Sequence, residues 1–317
     1  MSISVIIAHY APINRCDFYF SLLKRTVESV RHQNYKDEIQ IILCDDGSNW
    51  SKELQISGDI NILNKPFINN KLRELDIDIY LALPDVNLYR GIKLKRKAFE
   101  LAKFNKIIVL DDDHPLISKE SLARFDYFLN NYKYVRGRVI GPRGLPQLYL
   151  SKNAQGTTYG LTKDSYNEVG GFGTYLDDNG IGEDNDILWK MYCKYKDSFP
   201  KMACWAGEIT TRDLASNRWA ERADFNISGG YEVRYQREVA FVNKFKQIYG
   251  IHPRFKNPSR QKRKWVEIGS KKTILYEIIY TIIFIIRYPQ EFYWKTRKVR
   301  NFNHLFRIIK RKIIERF

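Results

Sequence analysis

Cysteine is scarce in this sequence: Cys16, Cys44, Cys193 and Cys204 are the four present, and none stands at a metal-site spacing from another. That excludes a disulfide framework as the source of stability and points to a reducing compartment. Long apolar runs are missing too. The longest, Thr273 to Ile286, contains Glu277 and falls short of the ~20 apolar residues that a spanning helix needs. It is expected to lie on a membrane, not to cross one. The first residues carry no charged stretch followed by an apolar one, so no secretory leader is expected and the location follows as cytoplasmic. Internal repeats and low-complexity tracts are absent, and 44% hydrophobic content over 317 residues supplies a sizeable core, so the chain is not a disordered one.

The net charge of +17 is unevenly spread. Residues 260–317 hold 16 Lys and Arg against 4 Glu, a balance of +12, which leaves +5 for residues 1–259. The basic residues of this tail alternate with apolar and aromatic runs such as Ile274-Leu275-Tyr276, Ile278-Ile279-Tyr280 and Leu305-Phe306. That mixture suits an anionic lipid surface better than nucleic acid, which is not expected as a partner. Phe302, Leu305, Phe306, Ile309, Ile313 and Phe317 fall along one helical face, with Arg307, Lys310, Arg311, Lys312 and Arg316 elsewhere. The bland alternative is a helix pair packed on the body or a dimer contact, the latter making the protein a homo-oligomer.

Short β-branched runs at Ser4 to His9 and Gln40 to Cys44, separated by a helical pattern over about 18–33, read as a β-α-β unit with buried parallel strands. A third run, Lys106 to Leu110, follows a helical segment from Leu94 to Ala102 and ends in Asp111-Asp112-Asp113. In open α/β sheets the ligand crevice lies at the carboxyl ends of the strands, so His9-Tyr10, Asp45-Asp46 and the three aspartates are expected to open onto one site. Oxygen ligands in an Asp-x-Asp spacing suit a hard divalent ion, Mg²⁺ or Mn²⁺, and through it a diphosphate. A strand near Ile77 to Leu81, a helix over 118–132 capped by Ser118, and a turn-rich connection over 136–146 complete the first half.

Residues 170–186 gather five carboxylates behind a Gly-Gly turn, and apolar side chains at 187, 188, 191, 192 and 195 predict a helix starting at Asp184 or Asn185. Glu183 and Asp184 then sit at its positive end, where the dipole favours the ionised form. A simple cap is the alternative use of Asp184 or Asn185.

In order and spacing, Ser-Val-Ile-Ile-Ala-His-Tyr, Cys-Asp-Asp-Gly-Ser, Ile-Ile-Val-Leu-Asp-Asp-Asp and Gly-Gly-Phe with Gly-Glu-Asp-Asn-Asp-Ile resemble the family 2 inverting glycosyltransferases of GT-A fold. The last element is similar to the acceptor half of galactosyl- and N-acetylgalactosaminyltransferases and chondroitin-type polymerases. The resemblance covers about residues 3–195 and implies an α/β Rossmann-like fold, with a mostly parallel sheet flanked by helices. It implies a nucleotide-sugar half over 1–115, an acceptor half over 116–255, and a basic amphipathic helical tail over 256–317. Asp46 then contacts the nucleobase, usually uracil, with Ala8, His9 and Tyr10 lining that pocket. Asp111 approaches ribose and metal, Asp112 joins the nucleotide set, and Asp113 ligates the metal directly. Lys95 stands where an Arg often touches the nucleotide, although a solvated basic helix face explains it as well. Asp184 is implied as the base and Glu183 as its neighbour orienting the acceptor hydroxyl.

The expected activity is transfer of one sugar from a nucleotide donor, UDP-Gal, UDP-GalNAc or UDP-GlcNAc being representative, to a lipid-linked or polysaccharide acceptor. Surface-glycan synthesis of the capsule, O-antigen or lipopolysaccharide kind, at the inner face of a membrane, is the implied setting. Asp177, Asp178 and Asp186 leave a retaining double displacement open on residues alone. A nucleotidyltransferase of similar fold is the first alternative, but the position after the first strand reads His9-Tyr10-Ala11-Pro12 and lacks the Gly-rich basic loop of that class. A non-catalytic basic binding protein is the second. Related enzymes often add a metal-ligating His from a strand after the base; Cys204 to Asp213 contains none, and His252 reads as a loop residue left outside the metal set. Trp205, Trp219 and Tyr231 could stack on sugar, yet aromatics in such numbers are usually core.

Overall fold

The computed structural model describes residues 2–11, 15–48, 60–67, 69–83, 91–140, 157–177, 182–214, 230–250 and 259–260. The tail apart from Ser259–Arg260, and with it Asp178, Trp219 and His252, lies outside the described residues.

Three apolar runs form the parallel centre of the sheet: β1 (Ile3–His9), β2 (Ile39–Asp45) and β5 (Lys106–Asp111). Around them stand β3 (Asn61–Asn64), β4 (Ile79–Ala82), β6 (Tyr134–Ile140), β7 (Thr158–Thr162), β8 (Ala203–Arg212) and β9 (Ser259–Arg260). The nine strands run in the order β3-β4-β2-β1-β5-β7-β6-β8-β9. Five of the eight pairings are parallel; β3 with β4 and β7 with both its neighbours are antiparallel. The expected fold class, a mostly parallel α/β sheet flanked by helices, is the observed one.

Helix α1 (Cys16–Arg31) buries Tyr19, Leu22, Leu23, Thr26, Val27 and Val30, an i, i+3, i+4, i+7 stripe. Burial of each of its aliphatic side chains stabilises by ~1.5–3 kcal/mol relative to exposure. With α2 (Asn70–Glu74) and α4 (Ser121–Leu129) it covers one face of the sheet, over Val5, Ile7, Ile41, Leu43, Ile108 and Leu110. The other face carries Ile6, Ile42, Ile107 and Val109 under α3 (Gly91–Leu101), α5 (Lys163–Glu168), α6 (Glu183–Tyr195) and α8 (Gly230–Tyr249). A short α7 (Phe199–Met202) leads into β8.

Two expectations are corrected. Residues 136–140 are not part of a turn-rich connection but the second half of β6, wholly buried, with Arg136 and Arg138 each 1% exposed. The helix after β5 starts at Ser121, not Ser118; the Ser118 hydroxyl accepts from the Glu120 amide at 3.2 Å, a turn that precedes the helix.

Candidate active site

The parallel register brings the ends of β2, β1 and β5 level, with His9 beside Asp45 and Ala8 beside Asp111. The chain leaves β1 and β2 with the Asp46 amide donating to the His9 carbonyl at 2.9 Å, and leaves β5 with the Asp112 amide donating to the Ala8 carbonyl at 3.0 Å. The three segments predicted to meet do meet. Their side chains divide into two kinds.

Asp45 is fully buried and accepts from the Ser48 amide (2.9 Å), the Ser48 hydroxyl (2.6 Å) and the Tyr80 hydroxyl (2.7 Å), so it shapes the loop. His9 Nδ1 and Asp112 Oδ2 are bonded to each other with no side-chain exposure, and the Thr26 hydroxyl donates to the Asp112 carbonyl at 2.7 Å. This pair ties β1 and α1 to the end of β5. Ala8 and Asp46 stay partly exposed, while Tyr10 is buried.

Asp111, Asp113 and His114 form the second kind. One ligand atom from each lies within 4.8 Å of the others, an arrangement that can hold a metal ion. His114 Nδ1 donates to Asp113 Oδ1 at 2.6 Å. Burial pushes the Asp111 carboxyl up to about 6, against the pull of Lys95 and His114, with Asp113 and Asp112 adding to the rise. Burial pulls the His114 imidazole down, but the Asp113 carboxylate and then Asp111 and Asp213 outweigh it and raise it to about 9. His114 is not among the ligands expected from the sequence, since the resemblance points to a His on a strand after the base; its signal is its place directly after Asp-x-Asp.

Helix α6 begins one residue earlier than predicted, at Glu183, after Gly182 at φ +100°. A Cβ on Gly182 would stand 2.6 Å from Phe241 Cδ1, so both backbone and packing require glycine here. Asp184 is inside the first turn and is not the cap. Lys95, buried on α3, donates to Glu183 Oε1 at 2.8 Å, which ties α3 to the first turn of α6 across 88 residues of sequence. Burial lowers the Lys95 ammonium, but Glu183, Asp111 and Asp184 together raise it above the lysine range.

The two carboxyls of α6 are driven apart. Burial raises Glu183, yet the Lys95 charge and hydrogen bond more than offset it and hold it below its usual value. Asp184 is raised well above the carboxylate range, first by burial, then by the Glu183 charge, with Lys95 opposing and Asp111 adding. The predicted effect of the helix N-terminus is therefore outweighed at Asp184: a dipole worth ~0.3–1 kcal/mol does not balance burial beside another carboxylate. Asp184 Oδ1 is sealed from solvent and has no hydrogen-bond partner among the described residues.

The Gly-Gly-Phe element is a clamp. Gly170 and Gly171 both have positive φ, and Phe172 packs edge-on against Phe99 and Tyr166 at 5.5 and 5.2 Å. The Gly171 carbonyl accepts from Lys190 Nζ (2.7 Å), and the Gly173 amide donates to Asp186 Oδ2 (2.9 Å), which also pairs with Lys190 (2.9 Å). Tyr175 donates to Asp186 Oδ1. Asp177 is held by Arg96 at 2.7 Å. Two of the three candidate nucleophiles for a double displacement are thus engaged in holding the loop.

On the sheet face under α6, Tyr159 pairs in register with Arg136, which pairs in turn with Trp205. Tyr134 stacks on Tyr159 at 5.7 Å and meets Trp205 edge-on at 6.0 Å, while the Arg136 guanidinium lies 5.3 Å over the Trp205 ring. The Asp184 charge reaches both tyrosines.

No protein-family model and no curated protein matches the sequence. Among solved structures, S. aureus TarS is similar at 17% identity and a TM-score of 0.46, over 77% of this chain and 40% of that one. Residues 1–349 of S. aureus TarS in complex with UDP-GlcNAc are similar at 16% identity and a TM-score of 0.44, over 77% of this chain and 67% of that one. The mannosyltransferase PcManGT from Pyrobaculum calidifontis, in complex with GDP-Man and Mn²⁺, is similar at 12% identity and a TM-score of 0.47, over 99% and 80% of the two chains. This chain therefore spans well under two thirds of the full TarS chain it matches.

Proposed function

We propose that this chain is a metal-dependent inverting glycosyltransferase that transfers a sugar from a nucleotide donor, a UDP-sugar, to a hydroxyl of a lipid-linked or polysaccharide acceptor. The observation that carries it is Asp184: a buried carboxylate whose Oδ1 has no hydrogen-bond partner among the described residues, held well above its usual value by burial and the Glu183 charge, beside a neighbour whose charge Lys95 fixes. Asp184 takes the proton of the attacking hydroxyl as its oxygen bonds to the anomeric carbon and the bond from that carbon to the diphosphate breaks, so the configuration inverts. Glu183, held by Lys95, stays charged and orients the hydroxyl. The engagement of Asp177 and Asp186 by Arg96, Tyr175 and Lys190 supports a single displacement.

The donor set of Asp111, Asp113 and His114 fits a divalent ion, and an imidazole beside two carboxylates suits Mn²⁺ better than Mg²⁺. When bound, such an ion neutralises charge on the departing diphosphate. Asp46, Ala8 and Tyr10, on the adjoining strand ends, are proposed to hold the nucleobase, with His9 and Asp112 bracing that corner from within. Among the described residues no helix is long and apolar enough to cross a membrane; the basic tail is proposed to dock on an anionic membrane surface at the cytoplasmic face. Titration calorimetry with UDP and GDP tests the donor side: binding should require Mn²⁺ and weaken more than about 10-fold in Asp113→Ala and His114→Ala. Binding that is indifferent to the ion and to both substitutions would refute the assignment.

A further inference from the structure

Three polar aromatic groups on the sheet face beneath the start of α6 have no partner among the described residues. The Tyr134 and Tyr159 hydroxyls and Trp205 Nε1 are sealed from solvent and make no hydrogen bond among the described residues. The side chains themselves are at most 1% exposed. A buried O–H or N–H without an acceptor carries its desolvation penalty uncompensated. Phenylalanine at 134 and 159 would keep the ring packing and avoid that penalty, so a role in the core alone does not account for tyrosine at either position.

The three groups are also neighbours. They come from the adjacent strands β7, β6 and β8, Tyr134 standing two residues before the Arg136 that registers with both Tyr159 and Trp205, with ring centroids 5.7 and 6.0 Å from the Tyr134 ring. All are hydrogen-bond donors, and the carboxylate whose charge reaches both phenols, Asp184, has an oxygen that accepts nothing among the described residues. Donors arrayed beside one open acceptor complement a molecule that is dense in hydroxyl oxygens. A lipid chain would leave every one of them unpaired, whereas a sugar ring carries several hydroxyl oxygens and has an apolar face for an aromatic wall.

We propose that Tyr134, Tyr159 and Trp205 form the acceptor subsite, in which the two phenols hold neighbouring hydroxyl oxygens of a carbohydrate and so present one of its hydroxyls to Asp184 Oδ1. The subsite rests on the assignment of Asp184 as the base. It commits the terminal acceptor unit to a sugar, whether that sugar is borne on a lipid or on a polysaccharide. Arg136, lying over the Trp205 ring, fixes the indole and acts as a positioning residue.

The test uses the full chain with UDP and Mn²⁺, and the methyl glycosides of galactose, glucose, mannose and N-acetylglucosamine as probes, read by saturation-transfer NMR. Wild type should bind at least one glycoside. Tyr159→Phe and Tyr134→Phe should each weaken it about 3- to 10-fold, the loss of one neutral hydrogen bond. Neither substitution should lower the melting temperature, since each removes a hydroxyl that bonds to nothing among the described residues. Equal glycoside binding in all three proteins, no binding by wild type, or weakened binding accompanied by a lower melting temperature overturns the subsite. Mn²⁺-dependent UDP binding in the same samples separates the two levels. If it persists while the glycosides ignore both tyrosines, only the subsite falls; if it is absent, the proposed function falls with it.

Discussion

Replacing Lys95 with methionine keeps the length of the side chain and removes its charge, leaving Glu183 without the ammonium that stands 2.8 Å from its Oε1. Removing one member of a buried ion pair costs ~3–5 kcal/mol. Glu183 retains 23% exposure, which favours the lower end, about 3 kcal/mol. At roughly 2 °C per kcal/mol for a chain of this size, the melting temperature should fall by about 6 °C. In Glu183→Gln the ammonium still faces Asp111 and Asp184, so that variant should lose only ~1 kcal/mol. The double variant should lose only ~1 kcal/mol and so recover most of the Lys95→Met loss, a coupling of about 3 kcal/mol.

The pH dependence carries a sign. In wild type the lowered Glu183 contributes stability that is present above its unfolded value and is lost as pH falls through the folded one. Without Lys95, burial dominates and Glu183 rises, so the folded state holds the proton more tightly and stability grows as pH falls. The deficit of Lys95→Met should therefore be largest at pH 8 and shrink toward pH 5. Thermal melts of the four proteins at both pH values decide it. A deficit equal at pH 5 and pH 8, or a double variant no better than Lys95→Met, would refute the reasoning.

Two further outcomes follow from the same corner of the molecule. Because Asp184 must be ionised to accept a proton and is raised well above the carboxylate range, kcat/KM should fall as pH drops through a midpoint well above that of an ordinary aspartate; since Lys95 lowers Asp184, Lys95→Met should move that limb upward. Gly182→Ala combines a residue at φ +100° with a Cβ placed 2.6 Å from Phe241, so it should destabilise by ~2–3 kcal/mol in denaturant melts and reduce transfer by displacing the first turn of α6.

The strands that carry the acidic corner were legible because buried parallel strands are continuous apolar runs, and Ile3–His9, Ile39–Asp45 and Lys106–Asp111 read that way to within a residue or two. The second half of β6 was not, since Arg136-Gly137-Arg138 breaks the apolar pattern that marks a buried strand. The clustering of carboxylates at 183–186 announced a charged turn but not its electrostatics. The contact that separates Glu183 from Asp184 comes from Lys95, 88 residues away in sequence, and nothing local encodes it. Of the subsite aromatics only Trp205 is singled out by sequence, and Tyr134 and Tyr159 are not, because core and binding-wall aromatics share one pattern; only unsatisfied polar atoms tell them apart.

The claim at the centre is that Asp184 is the base. A panel of UDP- and GDP-sugars with Mn²⁺ and a carbohydrate acceptor, with product followed by mass spectrometry, measures it directly in wild type and Asp184→Asn. Transfer by wild type and a loss of about 10²–10⁴-fold in kcat in Asp184→Asn, with nucleotide affinity unchanged, is the predicted result. Equal turnover by the two proteins would contradict it.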